Sequence, residues 1–198
     1  MAAGRLIAFE GLDQSGKQTQ AETLRDRLRA AGHRVRFVAF PDYTTPIGEE
    51  IARALHGERD YDPSVLQLLF IANRYERRAD LARWLDGGLL LLCDRYVASS
   101  IAYGEAQEID PQWLADVQRL LPPADLTIFL DIAPETAVRR KAVGRDRFER
   151  DLALLGRVRE SYLRQAAHPS WLRIDGERPP EVIAEEVVAL VALRLGLR

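Results

Sequence analysis

The sequence predicts an α/β fold in which helices flank a five-stranded parallel sheet. Short apolar segments alternate along the chain with longer segments that repeat apolar residues at helical spacing. The run from Leu89 to Cys93 is apolar throughout, which is typical of a parallel strand covered on both faces. With no internal repeat or linker, this alternation predicts a single domain over residues 1–198.

The first forty residues predict a strand–helix–strand unit. Arg5 to Phe9 is a short apolar run that ends at a glycine turn, as a buried strand does. Lys17 to Ala31 has helical periodicity and stops at Gly32, a residue type that often follows a helix. Val35 to Phe40 is a second strand, ended by Pro41.

The same alternation continues to the end of the chain. We expect Ser64 to Leu85 to form one long helix with a charged face. The other predicted helices are Pro46–Leu55, Val97–Ala106, Pro111–Leu121, a helix opened by Pro134, and Pro179–Leu195. The remaining predicted strands are Leu89–Cys93, Leu126–Leu130 and Trp171–Ile174.

Composition narrows the function classes. A net charge of −2 argues against a general nucleic-acid or membrane-surface binder, which carries a basic excess. The longest aliphatic run is far shorter than the ~20 residues of a membrane span. Near the N-terminus, the four apolar residues before Glu10 are too few for a signal sequence. With Cys93 as the only cysteine, no internal disulfide forms. These features predict a cytoplasmic protein.

A glycine-rich loop follows the first strand and opens the first helix. Its spacing, G-x-x-x-x-G-K, is that of a loop whose backbone N–H groups wrap phosphate oxygens. Lys17 is one of only two lysines among 28 basic residues, and it supplies a compact charge that an arginine fork does not imitate. The predicted ATP-binding residues are Gly11, Leu12, Asp13, Gln14, Ser15, Gly16, Lys17, Gln18 and Thr19.

One loop position departs from the usual pattern. The residue after the lysine is ordinarily Ser or Thr, whose hydroxyl binds Mg²⁺, but here it is Gln18. Either Gln18 holds the metal through water, or the ion depends more on the phosphates and on Asp94. Asp94 ends a predicted buried strand at its carboxyl edge, where open α/β sheets bind ligands.

Beyond the loop, several segments together resemble the thymidylate kinases of the nucleoside-monophosphate kinase group, and the resemblance runs nearly end to end. It implies a three-layer P-loop kinase fold with a short helical lid at about 139–150, and phosphorylation of dTMP by ATP with Mg²⁺. It also implies a homodimer. The segments that carry it are residues 9–13, Phe40-Pro41, residues 69–76, Asp94-Arg95-Tyr96 with Ser99, Ser100, Ala102 and Tyr103, residues 129–131, 147–149 and 174–176.

The resemblance implies a role for each acceptor-site residue. Asp13 binds the 3′-hydroxyl of the sugar, Arg95 grips the acceptor phosphate with its guanidinium fork, and Tyr103 crowds the sugar 2′ position. Phe70 and Arg74 lie four apart, on one helix face, where Phe70 stacks on thymine and Arg74 donates to its carbonyl. The alternative is a core aromatic beside a solvated arginine. The other residues predicted to bind the acceptor nucleotide are Phe40, Pro41, Tyr43, Asn73 and Ser99.

Two further features bear on catalysis. Arg139, Arg140, Lys141, Arg145 and Arg147 cluster within nine positions and form either a solvated basic helix or the lid. In the family the catalytic arginine lies in the phosphate loop or in the lid. The loop position here is Gln14, so the resemblance assigns the role to Arg147 and then Arg145, as in many bacterial members.

The acceptor loop also departs from the family. Many relatives have an arginine shortly after Phe-Pro, where this chain has Asp42-Tyr43-Thr44-Thr45, so Arg95 would carry most of the phosphate contact. Two alternatives therefore stay open. One is a deoxynucleoside kinase, which needs a carboxylate base, with Glu10 the nearest candidate. The other is a nucleotide-binding protein that has lost catalysis.

Overall fold

The computed structural model describes residues 4–140 and 151–197, and over these ranges the chain forms a five-stranded parallel sheet. The strand order is β2-β3-β1-β4-β5, and every neighbouring pair is parallel. The predicted α/β class and sheet are confirmed. The strands are β1 Arg5–Glu10, β2 Val35–Ala39, β3 Leu90–Asp94, β4 Leu126–Asp131 and β5 Trp171–Asp175.

Helices cover both faces of the sheet. The helices are α1 Lys17–Ala30, α2 Pro46–Leu55, α3 Pro63–Glu76, α4 Arg78–Asp86, α5 Val97–Glu105, α6 Pro111–Asp116, α7 Pro134–Arg140, α8 Leu152–Gln165 and α9 Pro180–Leu195. Helices α1 and α9 pack on the face that carries Ile7 and Phe9. Alternate residues point the other way, because successive side chains of a strand face opposite sides. Leu6 therefore packs with Leu81 of α4, and Phe129 stacks on Tyr162 of α8 at 5.3 Å between ring centroids.

The helix predicted from Ser64 to Leu85 is wrong as a single element, because the chain turns at Arg77 between α3 and α4. The Arg77 amide donates to the carbonyl of Arg74, a three-residue step that tightens the end of α3. The Arg77 side chain reaches away to the loop after β2, where its Nε lies 2.7 Å from Oδ2 of Asp42. A one-residue turn leaves the apolar spacing intact, so periodicity alone does not reveal it.

Two other predicted boundaries change for similar reasons. Helix α6 ends at Asp116, not Leu121, because the amides of Gln118, Arg119 and Leu121 donate to carbonyls three residues back, not four. Neighbouring side chains bind two other carbonyls of this segment. The Tyr75 hydroxyl donates to the carbonyl of Val117, and Arg78 Nε donates to that of Leu120. Helix α8, which follows the cluster of basic residues at 139–147, was not predicted. It begins after Asp151, whose carboxylate accepts from the Leu154 amide as an N-cap.

The carboxyl ends of the parallel strands bring polar residues to one edge of the sheet. Glu10, Asp94 and Asp131 end β1, β3 and β4. The loop after β2 begins with a cis peptide between Phe40 and Pro41 and lies at the same edge. No helix of the described ranges is long and apolar enough to span a bilayer.

The loop after β2 is held closely against the start of α2, which gives a test of the fold. A Cβ on Gly48 would lie 1.9 Å from the Asp42 carbonyl oxygen, whereas one on Gly156 in α8 would meet no atom of the described residues within 4 Å. We expect Gly48→Ala to lower the free energy of unfolding by about 1–3 kcal/mol. The control Gly156→Ala should raise it by about 0.5–1 kcal/mol, since alanine favours helix. Urea denaturation measures both, and equal effects would contradict the packing described.

Candidate active site

The glycine-rich loop connects β1 to the start of α1. Gly11 has a φ of 140°, and a Cβ there would lie 2.5 Å from the Leu130 carbonyl oxygen, so a side chain is excluded. Gly16 precedes α1 with a φ of 93°, and among the described residues no side chain caps the helix. The first amides of α1 therefore face the loop without a side-chain acceptor, as an anion-binding helix start requires.

Lys17 is the first residue of α1, and its side chain lies against this loop. Its side chain is buried, and Nζ donates to the Leu12 carbonyl at 2.8 Å. Burial and the charge of Arg95 lower the pKa of Lys17, while Asp13, Asp94 and Glu10 oppose that change. The ammonium thus has three carboxylates close enough to favour its charged form.

Asp13 and Arg95 form an ion pair beside the loop. Arg95 Nη2 lies 2.6 Å from Asp13 Oδ1, and the Tyr103 hydroxyl donates to Oδ2 at 3.1 Å. Burial alone would raise the pKa of Asp13, but the charges of Arg95 and Lys17 outweigh it and hold that pKa below its usual range. The carboxylate is therefore ionised throughout the physiological range.

Behind Arg95 lies a second carboxylate, that of Glu10, which is fully buried. Its oxygens accept from the Tyr96 amide at 2.8 Å, the Ser99 hydroxyl at 2.6 Å and the Tyr162 hydroxyl at 3.0 Å. Arg95 Nη1 donates to the same two hydroxyls, at 3.1 and 3.3 Å. The hydroxyls therefore bridge the guanidinium to Glu10, and Arg95 lies between two negative charges.

The backbone at Arg95 is also unusual, with a φ of 61° in a residue that is not glycine. This left-handed conformation costs a non-glycine residue about 1–3 kcal/mol. It aims the side chain back over the phosphate loop, where Nη1 also donates to the Gly11 carbonyl at 3.1 Å. The surrounding hydrogen bonds hold the residue there.

A cleft of about 90 Å³ opens next to this ion pair. Nine of the ten predicted acceptor residues line it: Asp13, Phe40, Pro41, Tyr43, Phe70, Arg74, Arg95, Ser99 and Tyr103. The cleft also contains Leu55, Gln67 and Ser100, which sequence reasoning did not assign to the acceptor. Helical spacing places Gln67 on the same face of α3 as Phe70 and Arg74, a signal that was available in the sequence.

Arg74 is a buried residue of this cleft. Nη1 donates to the Ser100 hydroxyl at 2.7 Å and to the carbonyl of Phe70 at 3.3 Å. Burial lowers the pKa of Arg74 to about 10. The alternative of a solvated arginine is excluded, because the side chain is enclosed.

Asn73 is the predicted acceptor residue that does not line the cleft. It is fully buried, and its Oδ1 accepts from the Asp42 amide at 2.7 Å. Its Nδ2 donates to the Thr45 hydroxyl and to a carboxylate oxygen of Glu76. Asn73 therefore holds the loop after β2 in place, and its predicted position in direct contact with an acceptor is corrected.

The two predicted metal residues lie in different surroundings. Asp94 Oδ1 is buried and has no hydrogen-bond partner among the described residues, so it suits a cation or its water. The Gln18 side chain lies on the exposed face of α1, where Nε2 donates to Glu22 at 3.0 Å. Within the described ranges, no cluster of three His, Cys, Asp or Glu side chains forms a metal site.

Of the predicted lid at 139–150, the structure describes the first two residues, Arg139 and Arg140. Arg140, at the end of α7, donates to the Gln14 carbonyl at 3.2 Å and to the Gly176 carbonyl at 2.9 Å. It thus joins the phosphate loop to the loop after β5, a contact that sequence reasoning did not single out. Arg139 donates to the Thr136 hydroxyl. Lys141, Arg145 and Arg147 lie outside the described residues.

Comparisons with known proteins agree with this geometry. The family model described as thymidylate kinase matches residues 9–187. The thymidylate kinase of Schizosaccharomyces pombe is 39% identical over 147 residues, covering 74% of this chain and 70% of that protein. The Homo sapiens thymidylate kinase is 32% identical over 194 residues, covering 94% and 89%. A solved thymidylate kinase structure from Candida albicans superposes with a TM-score of 0.85 at 28% identity, covering 100% and 95%. The chain belongs to the thymidylate kinase family.

Proposed function

We propose that this protein transfers the terminal phosphoryl group of ATP to dTMP, giving dTDP and ADP. One observation carries the proposal. A single cleft joins an aromatic–arginine pair, Phe70 and Arg74, to the Asp13–Arg95 ion pair and so to the phosphate loop. This order matches a base, a sugar and a phosphate laid end to end toward the donor.

The phosphate loop binds the donor in this proposal. Loop amides and Lys17 offset the charge of the transferring phosphoryl group, which is most of what a kinase must do. Mg²⁺, when bound, neutralises phosphate oxygens. Asp94 and Ser15 would hold it or its waters, because Asp94 Oδ1 and the Ser15 hydroxyl are both buried without a partner among the described residues. Gln18 is the weaker candidate, since its amide turns to Glu22.

The acceptor occupies the cleft. Arg95 presents a fork to the phosphate, Asp13 accepts from the sugar hydroxyl, and Tyr103 lies against the sugar. Phe70 stacks on the base, and Arg74 donates to a ring carbonyl. Positioning the two reactants in line supplies much of the rate enhancement, and an acceptor phosphate that is already anionic needs no general base.

A kinase acting on a nucleoside hydroxyl is the less favoured alternative. It would need a carboxylate base, and Glu10 was the nearest candidate. Glu10 is fully buried and already accepts from an amide and two hydroxyls. The carboxylate therefore has no access to a substrate hydroxyl in the cleft.

The lid residues Arg147 and Arg145 stay a prediction, as arginines that reach the transferring phosphoryl group. For the adenine we propose the region between the lid and the loop at 174–176. Arg140 supports this placement, because its guanidinium lies between the Gln14 and Gly176 carbonyls. Lid closure would exclude water that otherwise hydrolyses ATP.

The proposed function is tested by an acceptor panel of dTMP, dUMP, CMP and thymidine with ATP and Mg²⁺. We expect dTDP formation at about 1 s⁻¹ or faster, in the common enzyme range, with thymidine inert. Lys17→Ala should abolish turnover while the circular-dichroism spectrum stays unchanged. Preference for thymidine would favour the nucleoside kinase, and no turnover with any acceptor would favour a binding protein.

A second prediction concerns the hydroxyl bridges behind Arg95. Tyr162→Phe removes one bridge, and we expect the affinity for dTMP to fall about 3–10-fold, the equivalent of one hydrogen bond. Affinity for thymidine, which lacks the phosphate that Arg95 grips, should change little. Calorimetric titration measures both.

The matched control is Tyr96→Phe, since Tyr96 is equally buried but its hydroxyl donates to the Pro122 carbonyl. Both variants should lose about 1 kcal/mol of stability. Only Tyr162→Phe should reduce the preference for dTMP over thymidine. The same reduction in both variants would show that the bridge does not position Arg95.

We also propose a cytoplasmic homodimer. Helices α3 and α6 both pack on α5 and leave apolar side chains exposed: Val65 and Leu68 are each 41% exposed, and Trp113 is 37% exposed. Val65 and Leu68 are three positions apart, so they lie on one face of α3. A second copy of the chain would cover such a face.

Analytical ultracentrifugation tests the dimer. We expect twice the 22.4 kDa of one chain, and a monomer for Leu68→Arg, because a buried unpaired charge opposes association. Leu193→Arg on α9, at a side chain 76% exposed, should stay dimeric. If Leu68→Arg sediments like the unchanged protein, this face is not the interface.

A further inference from the structure

Gln67 is a buried polar residue whose amide N–H group has no hydrogen-bond acceptor among the described residues. It lies on α3 and lines the acceptor cleft, yet it is only 1% exposed. Its Nε2 has no hydrogen-bond partner among the described residues. A buried N–H donor without an acceptor destabilises a protein, and buried polar groups are almost always paired.

The packing around Gln67 would accept an apolar side chain. Its methylene stem lies beside α5, where a Cβ on Gly104 would be 3.5 Å from Gln67 Cγ and 2.4 Å from Leu114. Leu55 lines the same cleft. A carboxamide donor in such surroundings lowers stability unless a ligand that enters the cleft supplies the missing acceptor.

A second unpaired donor lies on the same helix face. Arg74 Nε is also buried without a partner among the described residues, although its Nη1 is hydrogen-bonded. Gln67, Phe70 and Arg74 have the spacing i, i+3 and i+7, which puts all three on one side of α3. An aromatic ring thus lies between two unpaired N–H donors.

We infer that the Gln67 carboxamide donates to a carbonyl oxygen of the acceptor base and is a specificity-determining residue for 2,4-dioxopyrimidine nucleotides. The inference rests on the proposed function, in which the base stacks on Phe70. A dioxopyrimidine carries two carbonyl oxygens on opposite sides of N3, so Arg74 and Gln67 each have an acceptor. Cytosine replaces one carbonyl with an amino group, which offers a donor where the protein also has a donor.

The test is a cycle that pairs a variant with altered ligands. Gln67→Met keeps the length of the side chain and removes both amide atoms. Affinities for dTMP, 2-thio-dTMP and 4-thio-dTMP are measured by calorimetry, because sulfur is a weak hydrogen-bond acceptor. We expect Gln67→Met to bind dTMP about tenfold more weakly than the unchanged protein. We also expect one of the two thio substitutions to lower the affinity of the unchanged protein but not the affinity of Gln67→Met.

The inference is overturned if each thio substitution weakens binding to Gln67→Met as much as it weakens binding to the unchanged protein. It is also overturned if Gln67→Met binds dTMP with unchanged affinity. Failure of the proposed function is distinguishable, because then the unchanged protein itself neither binds nor phosphorylates dTMP. If Gln67→Met does not fold, Gln67→Leu serves the same cycle.

Stability separates a binding role from a structural one. Removing an unpaired buried donor should leave the melting temperature of Gln67→Met equal or higher, while dTMP affinity falls. The control is Gln20→Met on α1. Gln20 is also buried, and its Oε1 has no partner among the described residues. Its Nε2 donates to the Pro180 carbonyl at 2.9 Å, so Gln20→Met breaks a hydrogen bond and should lose stability while it keeps its dTMP affinity. A fall in melting temperature together with unchanged dTMP affinity in Gln67→Met would assign Gln67 a structural role.

Discussion

The position of Arg95 between two carboxylates is the constraint on which the site depends. In front, Asp13 pairs with the guanidinium directly at 2.6 Å. Behind, Glu10 is linked to it through the hydroxyls of Ser99 and Tyr162. A buried arginine without compensating charge would be very costly, so this arrangement is what allows a cation to be held, oriented, at the end of a hydrophobic strand.

The network also connects distant parts of the chain. Glu10 ends β1, Arg95 and Ser99 follow β3, and Tyr162 belongs to α8, which begins just after the segment predicted as the lid. The parallel sheet makes these contacts possible, because its strands all end at one edge. A change in the position of α8 would therefore alter the hydrogen bond between the Tyr162 hydroxyl and Arg95.

Sequence reasoning succeeded where the signal is local. The phosphate loop depends on glycines within seven positions, and the structure places Gly11 where a Cβ would meet Leu130. Nine of the residues predicted to bind the acceptor line one cleft. It failed at Asn73, because an asparagine beside an arginine in a motif does not show which of the two faces the cleft. It also failed at Arg77, where a one-residue turn preserves the apolar spacing on either side.

The sequence by itself determined the five strands, the glycine-rich loop and the face of α3 that carries Phe70 and Arg74. These features follow from spacings of a few residues, because the geometry of a helix or strand fixes the side to which each side chain points. Only the tertiary structure decided that Glu10 is enclosed, that Tyr162 reaches it from 152 positions away, and that Gln67 Nε2 has no partner among the described residues. Burial and hydrogen-bond pairing depend on residues distant in the chain, so the spacing of residue types within a short segment does not predict them.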